Sequence, residues 1–562
     1  MKFHRPGRPD DLPPPRVLWA HGVALAAMGA TQRRSLLSFE GRALLYDDGG
    51  GNTWRLAWAE GDRAVLVGYD HEFSETLDYV SRPFDLLQDA PVWLPWSWVT
   101  ELEAAERVAF VYWWDGAWAR TPYPDDLDDD GLEAILSRTS SVDGTVEQML
   151  DCLLSDRSRG EELRLRDAAR ETARNVVLDA ESGALDGTRV EELLDLVEAT
   201  EPDVEAVLAV ARDGGLLPGA ERPTMSAGRS RPERPRPAAL GEPGWGLLVG
   251  DAMRRGREAE RPAPAPSRAL DDVADWIRDN ALDAGTSTTL THGVTGGWRI
   301  TKESGEEVLG GVGLGPLLRT LRDVEAHPEH GRWFFLRVVV TAETVEVERA
   351  YDHWPRWHAP SDPMGGRVWS QTVMEELRGR EPRWRPDWAH LASEETRRTG
   401  PVPAVRPGGT PSVPPAPLSR EEQQRLLVDV GQELLRAVGE DWHEIRLSYR
   451  AVVGYTSVDL REVDESGAET SPRVPSPVRR MLSRLREGMY APKQGTWFGV
   501  EYVVERPGRF RARYDYDTEP AFGLAPRDFD YALDALYFPR DAEYVPAWLR
   551  RRFGWESQEP QV

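Results

Sequence analysis

The chain has 562 residues, 40% of them apolar, with 95 acids against 69 basic residues and a formal charge of −26. That length exceeds one ordinary core and predicts about three to four domains, while the acidity disfavours free nucleic acid as a ligand because phosphate contact needs a basic surface. No apolar run reaches the roughly 18 residues of a membrane span, and a single cysteine, Cys152, excludes an internal disulfide and thiolate metal sites, so a reducing cytoplasm is expected.

The N-terminal run "VLWAHGVALAAMGA" follows Lys2, Arg5, Arg8 and Arg16 and so imitates a signal peptide, but Asp10, Asp11, three prolines and His21 interrupt the pattern. A short helix opening the first domain is expected instead. Residues 15–150 read as a divergent α+β module containing the hairpin "NTWRLAWAEGDRAVLVGYDHE". "YPDDLDDDGLEAIL" begins like a calcium loop at Asp126, Asp128, Asp130 and Gly131, yet Ser137 stands where a bidentate Glu is needed, so an acidic helix start is expected. Residues 151–215 read as a helical extension. Thr188 and Glu191 suggest a capping box, and Pro202 opens a helix that stops at Gly214 and Gly215.

Residues 216–265 are rich in Pro and Arg and predict a linker. A second α+β module follows at 266–395. In it "LGGVGLGPLL" lacks the Lys and the spacing of a phosphate loop and predicts a tight strand-to-helix turn. His327, His330, His353 and His358 lack a metal-site pattern and read as solvated loop residues. Residues 396–418 predict a second Pro-rich linker, a semi-rigid spacer holding its flanking domains apart. The third module, 419–560, opens on a Ser419/Glu422 capping box. It continues through a strand pair, the helix "SPVRRMLSRLREGM", a hairpin turning at Pro507-Gly508 and two closing helices.

Three hairpins share one plan. A Trp opens the first strand (Trp54, Trp333, Trp497), and a Tyr-Asp pair closes the second (Tyr69-Asp70, Tyr351-Asp352, Tyr514-Asp515). A proline set among aromatics follows each, in "WLPWSW", "WRPDW" and "YVPAW". Three related α+β modules, each an antiparallel sheet flanked by helices, are therefore expected in a multidomain chain. A Trp facing a Tyr across a hairpin packs as an aromatic pair, and an Asp beyond it can cap the next turn, so the motif speaks first about folding.

"TWFGVEYVVERPGRFRARYDYD" followed by "EYVPAWLRR" resembles the YezG-like immunity protein family, best over residues 419–560. "RWFFLRVVV", "AYDHWP" and "RWRPDW" carry a fainter likeness, and in the first module only the hairpin and the Pro-Trp element survive. The resemblance implies small α+β antitoxins that neutralise toxic domains of bacterial polymorphic toxins, hence a non-catalytic role. No GxSxG elbow, cysteine nucleophile, metal pattern or cofactor motif occurs in the sequence.

The expectation is an acidic immunity protein that covers a toxin's active surface. Residues 1–218 hold 42 acids against 21 basic residues, and residues 419–562 hold 25 against 21. A basic toxin domain would be drawn to the acidic first part, although acidity also serves solubility. The candidate partner-binding residues are Asp70, Asp352, Trp354, Trp357, Asp515 and Asp517, with no nucleic acid, membrane, metal or cofactor. An interaction scaffold that reuses the fold is the alternative, and an undetected enzyme a third.

Overall fold

The structure, a computed structural model, describes residues 9–30, 35–78, 83–127, 129–199, 202–294, 297–308, 310–358, 368–413 and 416–555. It has the expected α+β architecture, with three sheets flanked by helices. The chain divides into two compact units, essentially residues up to Pro237 and Ala238–Val562.

In the first unit, proline at the first helical position starts α1 (Pro15–Gly29) without loss of a bonded amide. The run that imitates a signal peptide is a core helix, with Leu18, Val23, Ala24 and Ala27 fully buried. Strands β1 (Leu37–Glu40), β2 (Ala43–Asp47), β3 (Thr53–Ala59), β4 (Arg63–Tyr69), β5 (Phe110–Trp114) and β6 (Trp118–Ala119) form an antiparallel meander in chain order. A short turn, α2 (Glu75–Asp78), and α3 (Trp96–Ala105) lie between β4 and β5 in sequence. Leu56, Trp58, Ala64 and Leu66 face a core shared with α1. Val65, Val67, Val111 and Trp113 face the other way, toward α3. Both faces are covered, and for that reason these strands are almost continuously apolar.

Five further helices complete this unit: α4 (Leu132–Leu136), α5 (Val142–Leu153), α6 (Arg159–Glu181), α7 (Gly187–Leu196) and α8 (Val204–Asp213). The cap of α7 is Asp186, whose carboxylate accepts from Thr188 N at 3.0 Å, so the expected Thr188 cap is displaced by two residues. The acidic run before α4 is a hydrogen-bonding segment: Asp130 is buried and accepts from the Tyr112 hydroxyl at 2.6 Å and the Tyr123 hydroxyl at 3.2 Å. Asp128 lies outside the described residues. Among the described residues, no group of three or more acidic, His or Cys side chains could hold a metal ion.

The segment expected to be a linker from 216 differs. Residues Thr224–Met225 form β7, parallel to β3, and Arg234 pairs with Asp85 at 2.6 Å and Glu103 at 2.8 Å. Its arginines find carboxylates on the first unit, which composition alone does not reveal.

The second unit begins with α9 (Glu242–Arg255), another departure from the expected linker. Trp245, Leu247, Val249 and Met253 are fully buried in a core that includes Phe334, Trp354 and Leu377 from the second module and Val453, Leu533 and Tyr537 from the third. Val413 of the Pro-rich stretch joins the same core. The two modules thus share an interior, and residues 396–418 are not the spacer that their prolines suggested.

The second module comprises α10 (Arg268–Asn280), β8 (Thr288–Gly293), β9 (Trp298–Lys302), α11 (Leu314–Val324), β10 (Phe335–Val340), β11 (Val345–Ala350) and α12 (Ser370–Arg378). The short α13 (Glu394–Thr399) precedes the third module. That module comprises α14 (Arg420–Ala437), β12 (Trp442–Val452), β13 (Tyr455–Asp464), the stub β14 (Glu469–Thr470), α15 (Ser476–Gly488), β15 (Gly499–Glu505), β16 (Arg509–Asp515), α16 (Asp528–Tyr537) and α17 (Ala547–Arg552).

The spatial orders β11-β10-β8-β9 and β14-β13-β12-β15-β16 are one topology: each module's second hairpin pairs with the first strand of its first hairpin. In each, two helices cover one sheet face, through Val273, Ile277, Leu318 and Leu321 in one and Val430, Leu434, Leu482 and Leu485 in the other. The first unit keeps the hairpin, but in a meander. Among the described residues, no helix is long and apolar enough to cross a membrane.

Candidate functional site

The second hairpin of each later module ends in the same construction. Gly331 and Gly495 adopt φ of +72° and +82°, and a Cβ there would stand 2.8 Å from Arg380 Cγ and 2.5 Å from Arg540 Nε. Only glycine allows the turn to close on a buried guanidinium. Arg380 donates to the carbonyl of Arg332 at 2.9 Å, and Arg540 donates to that of Thr496. Each guanidinium lies over a phenylalanine, Phe334 at 4.5 Å and Phe498 at 4.2 Å. Burial pulls both pKa values down to about 10, so both arginines stay charged at neutral pH.

The Pro-Trp element closes the other side. Trp388 Nε1 donates to the Asp352 carbonyl at 2.8 Å, and Trp548 Nε1 donates to the Asp517 carbonyl at 2.9 Å. Phe334 N donates to Ala350 O and Phe498 N to Asp515 O, both at 2.8 Å. Tyr351-Asp352 therefore corresponds to Tyr516-Asp517, which corrects the sequence pairing with Tyr514-Asp515. The reason lies in the hairpins: β10 pairs with β11 through six residues across a four-residue turn, and β15 pairs with β16 through seven across three. Of the expected Trp–Tyr pairs, Trp497 meets Tyr514 at 5.6 Å, whereas Trp333 meets His292 and Trp54 stacks on Tyr46.

The two copies differ in what covers them. In the second module a strap running on from α9 lies across the hairpin end. The Asp352 carboxylate accepts from Ala259 N at 3.0 Å, Arg261 Nη2 at 2.7 Å and Arg380 Nη1 at 3.1 Å. The Arg261 guanidinium also lies 4.9 Å from the Tyr351 ring centre and 5.1 Å from that of Trp384. Glu258 accepts from Tyr351 N at 2.9 Å, Asp352 N at 3.0 Å and His353 Nδ1 at 2.8 Å. Burial alone would raise its pKa, but these donors hold it below the ordinary glutamate value. A cleft of about 570 Å³ lies beside the strap, lined by residues that include Arg255, Arg257, Arg383 and Trp384.

Among the described residues, no strap lies at the equivalent place in the third module. Asp517 is exposed, Tyr516 is 37% exposed and Tyr544, the counterpart of Trp384, is 42% exposed. The Tyr544 assignment follows from Asp541 N bonding Lys493 O as Glu381 N bonds Glu329 O. Of the backbone donors that Glu258 satisfies in the second module, the counterpart of Asp352 N is met locally here, since Asp515 accepts from Asp517 N at 3.1 Å, together with Thr518 N at 2.9 Å.

The other expected contact residues are mostly interior. Asp70, 3% exposed, caps its own turn through Glu72 N at 2.9 Å and Phe73 N at 2.8 Å. Asp352 is 2% exposed and saturated with donors, so as surface contacts both are corrected. Trp354, 7% exposed, packs on Phe335 at 5.2 Å and belongs to the shared core. Trp357 is half-buried, with its indole bonded to Glu348 at 2.7 Å. Asp515 is a turn cap, and Asp517 alone of the four acids is exposed. His330, expected in solvent, is 5% exposed and stacked on His327 at 3.7 Å. Sequence reasoning missed Arg261, Arg380 and Arg540. The recurring Gly and Pro-Trp flanks were the available signal.

No protein-family model matches the chain, and no curated protein matches it.

Proposed function

We propose that this chain is a non-catalytic, antitoxin-like immunity protein that binds and blocks a basic toxin domain. The observation that carries this reading is the hairpin end of the second module, where an acid and two aromatics already grip an arginine-bearing segment of the chain itself. A fold that holds one such segment is suited to holding another. The acidity of the first 218 residues would speed the encounter with a basic domain. The sequence resemblance of residues 419–560 supplies the toxin class. Burial and neighbouring Asp151 push the Cys152 thiol up, which keeps it protonated and poorly nucleophilic.

The test is capture from lysate of the native host on the tagged full-length chain, with stepwise salt elution and mass spectrometry. A single basic toxin-like domain released by salt is the expected result. The shared core of the two later modules favours a scaffold as the second reading; recovery of only neutral, multi-subunit complexes would replace the immunity reading with it.

A further inference from the structure

We infer that the open hairpin end of the third module is an arginine-receptor site, in which Asp517, Tyr516 and Tyr544 take a guanidinium from an extended basic segment of a partner protein. The second module is the internal template. There the corresponding Asp352, Tyr351 and Trp384 surround Arg261, and the strap backbone adds the Ala259 N–H to the same carboxylate. Three framework elements recur around Asp517: the glycine turn, the buried arginine over phenylalanine and the indole on the Asp carbonyl. Among the described residues the strap does not recur, and the two tyrosines are left facing solvent.

The chemistry selects arginine. A planar guanidinium can bond a carboxylate in two places while lying against aromatic rings, and the compact, strongly hydrated ammonium of lysine does neither as well. The segment need not carry a glutamate. Asp515 already occupies Asp517 N, the counterpart of the Asp352 N that Glu258 fills in the second module, together with Thr518 N beside it. The occupant is therefore defined by its arginine, in contrast to the Glu258–Arg261 pair of the strap. This inference deepens the proposed function and relies on it only for the partner being a basic protein.

The experiment uses the full-length chain and a fluorescein-labelled peptide copying residues 256–263, GREAERPA. Fluorescence anisotropy should show saturable binding, weakened about tenfold or more by D517N and by replacing the probe's second arginine with citrulline, because each change removes the charge from a charge-assisted hydrogen bond. Lysine at that position should also bind more weakly. Replacing the probe's first glutamate, which copies Glu258, with glutamine should leave affinity unchanged. D429N, which removes an exposed acid from α14, controls for net charge and should bind like wild type. Y544A provides a second surface variant with the same expected loss.

Equal binding by D517N and D429N, equal binding of the citrulline probe, or no saturable binding up to millimolar peptide would overturn the site. So would self-association of the wild type that D517N abolishes, because the occupant would then be a second copy. Capture of a basic partner with equal strength by wild type and D517N would remove the receptor and leave the immunity reading standing. Specific probe binding without any basic partner would do the reverse.

Discussion

Arg380 and Asp352 show how a single residue can be indispensable without being exposed. Their side chains are 0% and 2% exposed, and removing one leaves the other charged and buried. Such a break typically costs about 3–5 kcal/mol, so D352A, which leaves the buried Arg380 guanidinium without its carboxylate, should lower the urea midpoint sharply, whereas R383A, at an exposed arginine of the same cleft, should change it little. Glu258 makes a pH prediction. Its folded pKa is depressed, so its contribution is present above the unfolded glutamate value of about 4.3 and fades as pH falls through the folded one. The stability difference between wild type and E258Q, measured by urea unfolding, should be constant near neutrality and shrink on acidification below about pH 4. The sequence motif led to Asp352 and Asp517 but not to their opposite fates. Whether an aspartate is saturated or open depends on a strap 90 residues upstream, which no local pattern reports.

Elements with strong local signals were the legible ones. Ser419 and Glu422 form the expected reciprocal cap of α14, with Glu422 N donating to Ser419 Oγ at 3.2 Å and Ser419 N to Glu422 Oε2 at 2.7 Å. S419A should cost about 1 kcal/mol, read as a lower thermal midpoint with unchanged partner binding. The hairpins of the third module and the turn at Gly313 before α11 were legible for the same reason: period-two alternation and glycine punctuation are local. The helix α9 was not. It contains Gly244, Gly246 and Gly250 and is flanked by prolines and arginines, and each helical glycine disfavours the helix by about 1 kcal/mol relative to alanine. Burial of Trp245 and its neighbours outweighs that penalty, and burial is a tertiary fact. W245A should therefore lose about 3–5 kcal/mol and loosen both later modules together.

At the scale of the whole molecule, the second unit should behave as one cooperative body. The third module presents Val453, Phe529, Leu533 and Tyr537 to a core completed by α9 and the second module. A 238–562 fragment should unfold in a single transition, while a 419–562 fragment should expose that apolar face, bind a hydrophobic dye and melt earlier. Two transitions in the longer fragment would separate the modules again. Fusing two related modules around one helix gives them different surfaces: one has its hairpin end filled from within, and the other keeps it open. The most direct measurement is growth of cells expressing a basic toxin domain recovered in the capture experiment, with wild-type protein or D517N supplied together with it. The expected result is rescue by wild type and weakened rescue by D517N. Growth arrest that the wild-type chain does not relieve would contradict the proposed immunity function.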